Sequence, residues 1–168
     1  MKYFTADTHY YHYGICESTG RPFSNETEMA DTIIRNYNQV VKPEDEVFFA
    51  GDFALCNDSN KVRDIVSQLK GKKYLILGNH DQMNSFVYVD CGFIQVHTSV
   101  TLHGSDTGAR IVVNHDPCIA CLVRPPSVLI CGHVHDLFKR IKNVVNVGVD
   151  VWDYAPVSLE RVMVELAL

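Results

Sequence analysis

Tyr74-Leu75-Ile76-Leu77-Gly78-Asn79-His80-Asp81 runs from four apolar residues straight into a glycine, an amide, an imidazole and a carboxylate. A short apolar run closed by glycine reads as a buried strand, and the polar donors at its end lie where an open α/β sheet places its site. The same grammar recurs on both sides. Tyr3 to Ala6 leads into Asp7-Thr8-His9, Val47 to Ala50 into Gly51-Asp52, Ile111 to Val113 into Asn114-His115, and Val128 to Ile130 into Gly132-His133-Val134-His135. Taken singly, each cluster has ordinary structural uses. Together, in this order and each at a strand end, they supply enough carboxylate, amide and imidazole to hold two divalent ions side by side.

Between the first three strands the pattern turns helical. Asn25 can cap a helix with Glu28 three residues on, and Met29, Ala30, Ile33, Ile34 and Tyr37 repeat at helical spacing until Pro43. Val62, Ile65, Val66 and Leu69 mark a second helix, entered through Asn57-Asp58-Ser59 and closed by Lys70-Gly71. Strand, helix, strand, helix, strand is the rhythm of a parallel sheet with right-handed crossovers. The second half is β-rich: residues 94–102, 110–114, 127–131, 143–149 and 159–166 read as short strands, the last from its alternation Arg161-Val162-Met163-Val164-Glu165-Leu166. Residues 10–25 read as a loop beside Asp7 and His9.

At 168 residues and 46% hydrophobic content, the chain suits one domain, 1–168, with a substantial core. A net charge of −5 without a basic block argues against a long duplex nucleic-acid partner. No apolar stretch reaches membrane-spanning length and the start does not read as a leader, so a cytoplasmic location and no membrane contact are expected. The six cysteines are expected to be free thiols. Cys118 and Cys121 have half-site spacing without a second pair, and read as small, partly buried residues.

In an extended backbone, residues two apart project to one side, so Asp7 with His9, and His133 with His135, could each grip one ion. Asp52 is the bridging candidate, able to give one oxygen to each ion at the roughly 3.5–4 Å separation that in-line displacement needs. Oxygen and nitrogen donors without thiolate point to manganese first, with iron, zinc or nickel as alternatives, and away from calcium.

The set D-x-H, GD, GNH[DE], H, GHxH resembles the calcineurin-like metallophosphoesterase superfamily, and Asn146-Val147-Gly148-Val149-Asp150 resembles the tail of small bacterial and phage members. That resemblance implies a four-layer α/β/β/α sandwich with two mixed β-sheets. It implies a first metal on Asp7, His9, Asp52 and His135, and a second on Asp52, Asn79, His115 and His133. The activity implied is phosphoester hydrolysis, with metal-bridging hydroxide attacking phosphorus in line and His80 acting as general acid. Asp81 is the orienting partner for His80 by adjacency. His12 and Arg21 are candidates for substrate contact, since a cation near the metals could grip a phosphate. Asp116 adds charge after His115, with three roles open: strengthening the cation site, bonding a ligand imidazole, or selecting against anionic substrates.

A small phosphodiester or nucleotide-like substrate is expected. Two alternatives stand beside it: a phosphomonoesterase, and a catalytically weak metal-binding scaffold for protein partners. Retention of His80 and of every ligand position argues against the scaffold.

Overall fold

The computed structural model describes residues 1–103 and 110–167. The strands are β1 (Lys2–Thr5), β2 (Glu46–Ala50), β3 (Lys72–Ile76), β4 (Gln95–His97), β5 (Val100–His103), β6 (Arg110–Val113), β7 (Val128–Cys131), β8 (Arg140–Ile141), β9 (Val144–Asn146) and β10 (Val157–Ser158). They form two sheets of order β10-β1-β2-β3-β4 and β5-β6-β7-β9-β8. β1 to β4 are parallel with β10 antiparallel at one edge, and in the second sheet β6, β7 and β9 are parallel with antiparallel edges. The fold is therefore mixed α/β with two mixed sheets.

Alternation along each strand builds the layers. Phe4, Phe48 and Ile76 point between the sheets and meet Ile111, Val113, Val128, Ile130 and Val145 in one buried cluster. Val47, Phe49 and Leu75 point the other way, under the helices. Those helices follow α1 (Gly14–Thr19) as α2 (Glu26–Val40) and α3 (Ser59–Gln68), with α4 (Ser85–Asp90) beyond β3. α2 begins as its sequence predicts: the Asn25 side chain accepts the Glu28 N–H at 2.9 Å, and Met29, Ile33 and Tyr37 are buried at helical spacing. Asp58 caps α3 in the same way. On the far face of the second sheet, Leu129, Cys131 and Val144 pack against Ile119 and Ala120 of a 3-10 segment, Pro117–Leu122.

Four expectations are corrected. Residues 10–25 are not loop throughout, since α1 (Gly14–Thr19) forms within them and buries Ile15 and Cys16. Residues 159–166 are not a strand: they lie in α5 (Leu159–Ala167). Leu159, Val162 and Leu166, at i, i+3 and i+7, plug the inter-sheet cluster, a helical stripe that the overlapping alternation of valines conceals. Residues 94–102 are two strands, because the chain leaves the first sheet after His97 and enters the second at Val100. Cys118 and Cys121 are exposed rather than partly buried, and all six cysteines are free. Among the described residues no helix is long and apolar enough to cross a membrane.

Candidate metal centre

The loops that leave β1, β2, β3, β6 and β7 meet along one edge of the sandwich and are stitched together by main-chain bonds. Asp7 N–H donates to Gly51 O and His9 N–H to Asp52 O, both at 3.0 Å. Asp7, His9, Asp52, His133 and His135 have φ of 56°, 48°, 54°, 74° and 48°. The expected extended geometry is thus wrong for both x-separated pairs: left-handed turns, not pleated strands, bring these side chains together. Each such residue costs about 1–2 kcal/mol, strain that persists where surrounding structure over-determines it and clusters at functional sites. Space is equally tight. A Cβ on Gly132 would stand 2.7 Å from Asp7 Oδ2, and Gly51, at φ 92°, has the His115 ring where its side chain would go.

The donors collect into two groups, Asp7 with His9 and His135, and Asp52 with His115 and His133, each with its ligand atoms within 4.8 Å of one another. Asn79 joins the second: its Oδ1 lies 3.0 Å from His115 Nε2 and 2.9 Å from His133 Nδ1. His115 Nδ1 is 2.9 Å from the Ala50 carbonyl, which directs Nε2 inward. Asp52 stands between the groups, with Oδ2 3.6 Å from His9 Nε2 and 3.4 Å from His115 Nε2.

The electrostatics suit cations. Burial pushes Asp7 up to about 6, and burial pushes His9 well down, leaving its imidazole neutral. Burial opposes the charged forms of Asp52 and His115 too, but their mutual hydrogen bond and attraction outweigh it, lowering Asp52 and raising His115. His9 Nε2 is buried without a hydrogen-bond partner, an orphan that a divalent ion among these donors would satisfy. The residues therefore fit the implied metals.

The remaining expected residues divide. The ring centroid of His80 lies 5.3 Å from His9 and 6.2 Å from His12, and His12 lies 5.4 Å from His9, so both histidines flank the donor groups. Asp81 is corrected: instead of orienting His80, its buried carboxylate accepts the main-chain N–H groups of Asp52, Phe53 and Gly78 at 2.8, 3.0 and 2.9 Å. Burial raises its pKa. Adjacent side chains diverge here, and the His80 N–H donates instead to Asp52 Oδ1 at 2.9 Å. Arg21 is corrected as well, because its side chain is 0% exposed and its guanidinium is committed to Asp150 and to main-chain carbonyls. Asp116 caps the 3-10 segment, its carboxylate accepting the Cys118 N–H at 2.8 Å.

Sequence reading missed the part played by Asp150 and Asn146. Asp150 Oδ2 lies 3.3 Å from His135 Nδ1, and buried Asn146 donates to the carbonyls of His135 and Phe138. The signal was present, since Asp150 follows an apolar run as Asp7 does, but the segment carries no D-x-H or GD motif around it.

Two mixed sheets bearing two oxygen- and nitrogen-rich donor groups on one edge define a metallohydrolase architecture. The chain belongs to the calcineurin-like phosphoesterase family, whose model matches residues 3–137. It is 32% identical over 169 residues to an uncharacterised protein of Methanocaldococcus jannaschii, covering 96% of this chain and 88% of that one. It is 28% identical over 181 residues to the gene 66 protein of Mycobacterium phage L5, covering 89% and 86%. A solved Aquifex aeolicus protein of unknown function shares the fold with a TM-score of 0.74 and 27% identity over 99% of this chain and 98% of that one.

Proposed function

We propose that the chain, as one domain over residues 1–168, is a dinuclear-metal phosphodiesterase acting on small or nucleotide-like diesters, with manganese as the working metal. The observation that carries this reading is the position of Asp52 Oδ2, within 3.6 Å of a donor nitrogen in each group, which is what one shared carboxylate needs to serve two ions. When bound, two such ions supply a water acidic enough to yield hydroxide near neutral pH and neutralise charge growing on the phosphoryl oxygens.

Asp7, His9, Asp52 and His135 would hold one ion, and Asp52, Asn79, His115 and His133 the other. His80, beside His9 and tied by its own N–H to Asp52, is positioned to protonate the leaving oxygen. His12 would face the ester from the same side. Asp81 keeps the loops of Asp52 and Asn79 in register without touching substrate. With Arg21 committed to Asp150, the phosphate is gripped by the ions and histidines rather than by an arginine fork, which favours the singly charged diester over the doubly charged monoester.

The test compares initial rates on bis(p-nitrophenyl) phosphate and p-nitrophenyl phosphate after chelation and manganese restoration, with Asn79→Ala and His80→Ala alongside. Manganese-dependent diester turnover lost in both variants is expected. Turnover of the monoester alone would replace the reading with a phosphomonoesterase, and silence on both substrates with the scaffold.

A further inference from the structure

All five N–H bonds of the Arg21 guanidinium have a partner inside the protein. Nε donates to Asp150 Oδ1 at 2.7 Å, Nη2 to Asp150 Oδ2 at 2.8 Å and to Asp7 O at 2.7 Å, and Nη1 to Thr8 O at 3.3 Å and Met29 Sδ at 3.4 Å. The Asp150 carboxylate, 4% exposed, reaches past Arg21 to His135 Nδ1. One buried ion pair therefore touches both segments that supply the first donor group: the left-handed turn Asp7-Thr8-His9 through two carbonyls, and His135 through its ring. No hydrogen bond or ion pair of these two side chains reaches Asp52, Asn79, His115 or His133.

We infer that Arg21 and Asp150 are positioning residues for one half of the centre, setting the affinity of the Asp7/His9/His135 group for its cation while leaving the Asp52/His115/His133 group alone. Two physical arguments carry this. Left-handed φ at Asp7, His9 and His135 needs external restraint, and the bonds to the Asp7 and Thr8 carbonyls supply it. Asp150 accepts the Nδ1 proton of His135, which fixes the tautomer that presents Nε2 to a cation. A buried ion pair is weak evidence for stability, since well-packed apolar residues often replace one at no cost, so the role of this pair is read from its bonds to the Asp7 and Thr8 carbonyls and to His135.

The inference rests on the dinuclear reading above, and its test reads metal binding rather than turnover. Chelated wild type, Arg21→Lys, Asp150→Asn and the double variant Arg21→Met/Asp150→Leu are titrated with manganese by calorimetry, with His133→Ala marking which event belongs to the other group. The double variant leaves no buried charge unpaired, so it keeps the test alive if a single variant unfolds. Expected are two events in wild type and, in the Arg21 and Asp150 variants, one unchanged event and one weakened about 10–100-fold. The weakened event should be the one that persists in His133→Ala. Equal weakening of both events, or wild-type values for both in the double variant, would overturn the inference. A wild type that takes up a single cation would overturn the dinuclear reading itself.

Discussion

The two halves of the centre differ in how they are held and in how far they are sealed. Asp7 and His9 are buried and His135 half-buried, whereas the other group ends in an exposed His133 beside an exposed Asn79. The sealed half is braced by a buried charge pair, Arg21 with Asp150. The open half is braced by main-chain contacts: His115 on the Ala50 carbonyl, and Asp81 collecting three N–H groups beneath the loops of Asp52 and Asn79. The contrast teaches a division of labour. The more buried half is held by buried side chains, while the more exposed half leaves one side accessible, as catalytic metal sites do.

The largest effect is expected where the halves meet. Asp52→Asn removes the carboxylate that both share, so turnover should fall by about a thousandfold or more, some 4 kcal/mol of barrier, and cation stoichiometry should drop along with it. Turnover within tenfold of wild type would show that the halves do not depend on a common ligand. Next in size is Asp81→Ala. Three N–H groups lose their acceptor, two of them on buried residues, at about 1–3 kcal/mol for each left unsatisfied. A loss of about 3 kcal/mol in urea unfolding of the chelated protein is expected, and a smaller loss for Asp81→Asn, which retains one acceptor oxygen. A stable Asp81→Ala protein with normal turnover would mean that the open half does not need its main-chain brace.

Manganese itself should separate the halves. At free cation about a hundredfold above a site's dissociation constant, binding contributes about 2.7 kcal/mol to stability. The chelated protein should therefore gain thermal stability in two steps of cation concentration, the sealed half filling first. A single step in differential scanning fluorimetry would erase the asymmetry.

The same asymmetry separates what the sequence disclosed from what it withheld. Every expected donor sits at a strand end with polar neighbours, so the clusters around Asp7, Asp52, Asn79 and His133 stand out when taken together, and α2 stands out from its Asn25 cap. The bracing could not. Arg21 and Asp150 are 129 positions apart, and nothing local to either distinguishes a buried fork from a substrate grip. Asp81 lies beside His80 in sequence yet its carboxylate turns to the main-chain N–H groups of Asp52, Phe53 and Gly78, and adjacency in sequence does not put two side chains on one side. Likewise Leu159, Val162 and Leu166 carry a helical stripe inside a valine alternation, and only the cleft between two sheets decides which period wins. Chemistry was legible where it is local, and support was hidden where it is tertiary.

The smallest expected effect is also the sharpest on the comparison. His133 is exposed and its imidazole fills no core, so His133→Ala in the chelated protein should change unfolding stability by no more than about 0.5 kcal/mol, as for an ordinary surface substitution. His9 is 1% exposed, and its removal leaves a void beneath the sealed half, so His9→Ala should cost about 1–3 kcal/mol under the same conditions. Both variants lose a ligand, and both should lose turnover. If they also lost stability equally, sealing would be a poor description of what sets the halves apart. If only His9→Ala is destabilised while His133→Ala folds normally and retains the first thermal step with manganese, the open half is a site added to a fold that stands without it, and the sealed half is part of the fold.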